Sequence, residues 1–173
     1  MGKIITKHIE LVANFEAAAA PFKGAPQIEA NANCYAYALG LTDHGYAAPG
    51  SLQEAPDSPN KLFTAEELTA ENIDRLLREN DGLVKIDPKS VDIMLEKVTV
   101  IAAFINPHDD VHFYRSHRDK TWSNHKGDVG GISQYDCKGD IITNPRSARR
   151  GRYTDFVGFY HAPAQGIKYM RIA

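Results

Sequence analysis

Cys34 could act as a nucleophile, because it opens a short apolar segment with helical character. The segment "NCYAYALGL", residues 33–41, has no charge and no Gly or Pro before Gly40, and Asn31 or Asn33 could cap a helix there. A thiol in the first turn of a helix lies near free backbone N–H groups and the positive end of the dipole, which favour the thiolate. The alternative is a structural cysteine in the core.

A general base for this thiol could come from His112, in the segment "DDVHFYR". Alternation along a strand would place His112 and Tyr114 on one face and Phe113 on the other. A thiol hydrolase takes its cysteine and its base from different elements, so an early helix and a later strand suit this chemistry.

A third polar side chain should orient the imidazole by accepting its other N–H. A predicted hairpin joining "VHFYRS" to "KTWSNHK" brings Ser123, Asn124 and His125 opposite the first strand. Asn124 and His125 alternate in direction, so only one of them can contact the histidine. Asp136, in "QYDCKGD", is a further candidate.

The elements that would carry these groups are predicted to be helical early and β-rich late. "TAEELTAENIDRLLREN" combines a capping box, Thr64 and Glu67, with one apolar face, which predicts a helix ending at Asp81 and Gly82. "KVTVIAAFI" predicts a central strand, and "DFVGFYHA" and "IKYMRIA" predict two more. This order predicts an α+β fold with helices packed on an antiparallel sheet.

Composition predicts one domain over residues 1–173, with residues 1–30 as an N-terminal arm and a loop over residues 42–61. The chain has 173 residues, 43% of them hydrophobic, and a net charge of -2, so neither nucleic acid nor an anionic membrane is expected as a partner. Scattered charges near the N-terminus predict no signal peptide, and no segment is apolar enough for membrane insertion. We expect synthesis in the cytoplasm, with export, if any, by a non-classical or contact-dependent route.

Each of the other motifs could have either a structural or a functional role. His108 and His112 in "HDDVH" could chelate a metal on a helix, but Pro107 and the β-rich residues after them favour a turn into a strand, so no metal is expected. Trp122 could wall a substrate cleft or fill the core, and Cys137 is read as incidental. A cationic cluster could grip a carboxylate or phosphate, or form a solvated loop; it consists of Arg146, Arg149, Arg150 and Arg152.

The ordered motifs "NCYAYALG", "HFYR", "WSNHKG", "GDIITNP" and "DFVGFY" resemble a group of bacterial and phage proteins in the papain-like cysteine hydrolase superfamily. That superfamily includes the CHAP and NlpC-type cell-wall amidases. The likeness covers residues 33–160. It implies a papain-like α+β fold, in which an N-terminal helix carrying the cysteine packs on an antiparallel sheet carrying the histidine.

Carried over by motif, the resemblance implies that Cys34 is the nucleophile and His112 the general base. It implies His125 as the third member, because His125 matches the histidine of the family's "W-S-H-K" motif. This sequence departs from that motif by one extra residue, Asn124, so Asn124 and Asp136 stay open as alternatives.

The implied reaction is hydrolysis of an amide through an acyl-enzyme, without metal or cofactor. The backbone N–H of Cys34, with Asn33 or Asn31, would form the oxyanion hole. The other role of Asn33 is plain N-capping. Expected substrates are peptides or peptidoglycan-like peptides, cut by a secreted effector or a phage-type lytic enzyme, and a toxin would need an immunity protein. Alternatives are an effector protease or deamidase acting on a host protein, and a non-catalytic peptide- or glycan-binding module of the same fold.

Overall fold

The computed structural model describes residues 7–12, 33–41, 47–53, 63–126 and 131–172. Within them lie the helices α1 (Cys34–Ala38), α2 (Ala70–Arg75) and α3 (Val91–Met94). A π-helical turn over Leu76–Asn80 continues α2, and a 3-10 turn over Pro88–Ser90 leads into α3. The strands are β1 (Lys7–Val12), β2 (Val84–Ile86), β3 (Ile101–Asn106), β4 (Asp110–Ser116), β5 (Trp122–His125), β6 (Ile132–Ser133), β7 (Asp155–His161) and β8 (Ile167–Ile172).

Six of these strands form an antiparallel sheet in the order β2-β7-β3-β4-β5-β6. The two remaining strands, β1 and β8, pair with each other. β3 lies between β7 and β4, so the predicted central strand is confirmed, as are the hairpin and the late strands. The chain is therefore α+β with an antiparallel sheet, as predicted.

Strand alternation divides the apolar side chains between the two faces of the sheet. On the first face, Ile101, Ala103 and Phe113 pack in one core with the buried residues of α1. On the second face, Ala102, Phe104 and Tyr114 pack in a separate core. Val91 of α3 contacts this second core. Cys34 therefore lies in the layer that covers the first face.

The clearest predicted helix begins later than its capping box. Thr64 Oγ1 accepts from the Glu67 N–H, as expected, and donates to the Glu67 carboxylate, but these bonds close only an isolated turn. Thr69 then supplies a second cap, accepting from the N–H of Asn72, and α2 starts at Ala70. The predicted end at Asp81 is confirmed, with a wide final turn over Leu76–Asn80.

The predicted arm over residues 1–30 and the loop over residues 42–61 lie largely outside the described residues. Of the arm, β1 is described and pairs with β8. Of the loop, residues 47–53 are described and contain neither helix nor strand. Among the described helices, none has the length and apolar character that crossing a membrane requires.

Asp81 joins the end of this helical segment to α1 and to residues 47–53. Its carboxylate accepts hydrogen bonds from the Tyr35 hydroxyl at 2.5 Å and from the Gly50 N–H at 2.7 Å. A longer bond comes from the Leu52 N–H at 3.4 Å. Asp81 is only 3% exposed, so these donors take the place of the water molecules that would hydrate an exposed carboxylate. This buried carboxylate fixes α1, and with it Cys34, against the rest of the fold.

Asp81→Ala should lower the free energy of unfolding by roughly 3 kcal/mol or more, because it leaves buried donors without an acceptor. Urea denaturation measures this change. The matched control is Asp87→Ala, which removes an exposed carboxylate that accepts from the Lys89 N–H and should cost about 1 kcal/mol. Equal losses in the two variants would contradict an anchoring role for Asp81.

Candidate functional site

The hairpin of β4 and β5 is paired only near its turn. Its ladder has two residue pairs, Arg115↔Ser123 and Ser116↔Trp122. Beyond Ser123, β5 pairs with β6 on its other side. Among the described residues, the first half of β4 therefore has no ladder partner on the side of β5.

Cys34 occupies this unpaired stretch. The N–H of Ser116 donates to the carbonyl that precedes β3, so alternation directs the backbone groups of Val111 and Phe113 towards β5. Cys34 Sγ lies 4.0 Å from the carbonyl oxygen of Val111, and the N–H of Phe113 is also directed at the sulfur. The thiol therefore lies beside the main chain of the residue between them, His112.

Asn33 fixes the start of α1, where Cys34 is the first helical residue. Its Oδ1 accepts from the Ala36 N–H at 2.9 Å and from the Ala47 N–H at 3.3 Å. Its Nδ2 donates to the Ala47 carbonyl at 2.7 Å. Of its two predicted roles, the structure shows the N-cap for Asn33, and the contact with an oxyanion stays a prediction. Asn31, the other oxyanion candidate, lies outside the described residues.

Asn124 sets the orientation and tautomer of His112. The Asn124 Nδ2 donates to the Ser133 carbonyl at 3.2 Å, which leaves its Oδ1 facing His112 Nε2 at 2.9 Å. A carbonyl oxygen only accepts, so Nε2 carries the ring proton. In the neutral ring, Nδ1 is then the nitrogen with a free lone pair.

Two tyrosines hold the imidazole from the side of the second core. Tyr114 meets His112 edge-on at 5.0 Å, and Tyr153 stacks on it at 4.8 Å. The Tyr153 hydroxyl donates to Asp110 at 2.7 Å. Sequence reasoning missed Tyr153, since it follows the arginine cluster and no local pattern connects it to β4.

Burial controls the protonation of both reactive groups. Desolvation, with a smaller contribution from Asp110, raises the pKa of Cys34 to about 12, although backbone N–H groups oppose this. Desolvation also lowers the pKa of His112 to about 4, against the opposing effect of Asn124. At neutral pH the pair is therefore a thiol and a neutral imidazole. The backbone N–H groups of Cys34 and Tyr35 at the helix start do lower the pKa of this thiol, as expected, but desolvation outweighs them and the net shift is upwards.

Of the three candidates for the third member, Asn124 is the one hydrogen-bonded to His112. His125, which the family motif implied, is one residue further along β5 and therefore on the other face. It is buried there, with its ring 6.2 Å from that of Tyr37. Asp136 organises an exposed turn, accepting from backbone N–H groups of residues 138, 140 and 149. The structure brings neither side chain into hydrogen-bonding contact with His112.

The remaining candidates have structural roles. Trp122 is buried in the second core, 5.9 Å from the ring of Phe159, so it does not wall a cleft. His108 Nδ1 donates to the Ala65 carbonyl at 2.8 Å. Within the described part of the chain, no group of three His, Cys, Asp or Glu residues is arranged to hold a metal.

Acid should destabilise the protein between pH 6.5 and pH 4. Burial lowers the pKa of both His112 and His117 from 6.5 to about 4, so in this window the unfolded chain binds protons that the folded chain does not. The stabilisation is complete above pH 6.5 and is lost as pH falls towards 4.

Urea denaturation at pH 7 and pH 5 measures this effect, which should be about 2 kcal/mol per histidine. His117→Gln removes one of the two titrating groups and should roughly halve the histidine contribution to the change between the two pH values. An unchanged pH dependence in the variant would contradict the assignment.

Comparison with known proteins identifies one informative relative. No protein-family model matches the chain, and no solved structure matches it. Over 132 residues, which are 76% of this chain and 80% of the relative, it is 33% identical to insoluble matrix shell protein 1 of Ruditapes philippinarum. The chain belongs to the same family as that protein.

Proposed function

We propose that this member of the matrix shell protein family is a cysteine-dependent amide hydrolase with a papain-like arrangement of Cys34, His112 and Asn124. One observation carries the proposal. The Cys34 thiol lies against the main chain of β4 on either side of His112, and the His112 ring is oriented by an amide oxygen at 2.9 Å. A cysteine at a helix start, a histidine on a strand and a polar orienter on the next strand form the set that a thiol hydrolase requires.

The proposed reaction starts from a neutral pair. As the Cys34 sulfur attacks the amide carbonyl, its proton passes to His112 Nδ1, and the resulting imidazolium is stabilised through its Nε2–H by Asn124. His112 then returns the proton to the leaving amine, which leaves a thioester on Cys34. Water, deprotonated by His112, attacks the thioester and releases the acid and the free thiol. The backbone N–H of Cys34 is the proposed donor to the oxyanion.

The kinship with a shell matrix protein makes matrix polypeptides the first substrates to test. Peptidoglycan peptides and side-chain amides of a host protein are the other proposed classes. The last two would suit a secreted effector, for which an immunity protein is the proposed partner.

A second candidate is a non-catalytic module that binds polypeptide in a matrix. Two observations favour it: the relative is named as a matrix protein, and burial raises the pKa of Cys34 to about 12. The two candidates differ in one measurable property, whether His112 makes the Cys34 thiol reactive.

The pH dependence of Cys34 alkylation tests the proposed neutral pair. With Cys137→Ser as background, the iodoacetamide rate at Cys34 should rise about tenfold per pH unit from pH 6 to 9, because the thiolate fraction rises in that proportion below the pKa. Peptide mapping by mass spectrometry measures the rate. A rate that is flat across this range would indicate a thiolate–imidazolium pair and contradict the neutral pair.

Hydrolysis of a mixture of fluorogenic peptide amides tests the proposed roles. Cys34→Ser and His112→Gln should abolish turnover, and Asn124→Ala should lower kcat/KM by roughly 10–100-fold, as loss of an orienting partner does. His125→Gln and Cys137→Ser are matched controls and should stay within about threefold of the parent.

Two outcomes would contradict the hydrolase. Cleavage that survives Cys34→Ser would exclude the proposed nucleophile. Binding of peptides without turnover, combined with alkylation of Cys34 that is insensitive to His112→Gln, would favour the binding module.

A further inference from the structure

A shallow pocket of about 670 Å³, wide open to solvent, lies beside the candidate site. It is built by the turn that follows β6 and by the chain segment that leads into β7. Its lining residues are Cys137, Lys138, Ala148, Arg149, Arg150, Gly151, Tyr153 and Thr154. Three of the eight are cationic, and none of them is acidic.

The positive charge of this pocket is not neutralised by ion pairs. Neither Lys138 nor Arg149 forms an ion pair within the described residues. A carboxylate on the turn, Asp136, accepts backbone N–H groups, including that of Arg149. Unpaired cations around a concave surface create a positive potential that attracts anions.

Arg150 forms the wall of the pocket and fixes its shape. Its guanidinium donates to the carbonyls of Pro145, Arg146 and Tyr153 and lies 4.2 Å from the ring centroid of Phe104. Carbonyls satisfy its donors but do not cancel its charge. Arg150, one member of the predicted arginine cluster, is therefore held in the wall of the pocket and is not simply part of a solvated loop.

The pocket adjoins the candidate site through Tyr153. This ring lines the pocket and stacks on His112 at 4.8 Å with an interplanar angle of 21°. Tyr153 therefore contacts both the pocket and the imidazole.

We propose that this pocket binds a side-chain carboxylate of an acidic polypeptide. That the bound polypeptide is also the substrate rests on the proposed hydrolase. Lys138 and Arg149 supply the charge, and an arginine fork suits the two oxygens of a carboxylate. The substrates of the proposed enzyme would then be polypeptides with acidic residues near the scissile amide.

Cys137 provides a reporter inside the pocket. Its Sγ lies 3.5 Å from the position that a Cβ on Gly151 would take, and its side chain is a free, exposed thiol. In Cys34→Ser protein it is the remaining thiol, since the chain has two cysteines. Its reaction rates therefore report on the pocket without any contribution from catalysis.

The first arm compares two disulfide reagents in Cys34→Ser protein. The measured quantity is the rate of reaction with dianionic dithiobis-nitrobenzoate divided by the rate with neutral dithiodipyridine. This ratio should be roughly tenfold higher for Cys137 than for glutathione, because a positive pocket concentrates anions. Lys138→Ala with Arg149→Ala should bring this ratio close to that of glutathione. The matched control is Lys89→Ala with Lys97→Ala, which removes the same charge elsewhere and should leave the ratio high.

The second arm uses ligands as protectants against the neutral reagent. Acetyl-Glu-Glu-amide should slow labelling of Cys137 several-fold at millimolar concentration, whereas acetyl-Gln-Gln-amide should not. Equal protection by the two peptides, or none by either, would overturn the proposal. Inorganic phosphate protecting better than the acidic peptide would make this a phosphate site and would also overturn it.

These experiments distinguish failure of the carboxylate pocket from failure of the proposed hydrolase. If the acidic peptide protects Cys137 but the parent protein cleaves no amide, the carboxylate pocket stands and the proposed function fails. If amides are cleaved with no preference for acidic peptides and no protection occurs, the hydrolase stands and the pocket fails.

Discussion

The early end of the β4–β5 ladder is the constraint on which the rest of the site depends. Had pairing continued past Arg115↔Ser123, Asn124 would lie opposite Tyr114 and His125 opposite Phe113, so the backbone of β5 would fill the space beside Phe113. Instead β5 turns to pair with β6, and the start of α1 enters the opening. The same departure leaves Asn124 able to reach His112 by its side chain.

Burial determines the protonation states of Cys34 and His112. The environment that disfavours a Cys34 thiolate also disfavours a His112 imidazolium, so both groups are neutral at neutral pH. A hydrogen bond from Nε2–H to Asn124 keeps the other ring nitrogen unprotonated. For the proposed hydrolase, such a neutral pair calls for general-base activation of the thiol during attack, and not for a preformed ion pair.

The sequence predicted the elements of the site better than their contacts. Alternation in "VHFYR" placed His112 and Tyr114 on one face, and the hairpin brought Asn124 within reach, because both features are local and periodic. The family motif favoured His125 over Asn124, whereas the strand pattern of "WSNHK" left both open because it does not reveal where the ladder ends. Tyr153 and Asp81 escaped notice for a different reason: each acts through a contact distant in sequence, with His112 and with Tyr35.

The proposed function requires that His112 is neutral, with its proton on Nε2 and its Nδ1 lone pair available to the Cys34 thiol. The most direct test is a long-range proton–nitrogen NMR correlation spectrum of the histidine side chains at pH 7, with His112→Gln to assign the signal. We expect the Nε2–H tautomer for His112 in the parent protein and a mixture of the two neutral tautomers in Asn124→Ala. An Nδ1–H tautomer or an imidazolium at pH 7 would contradict the account.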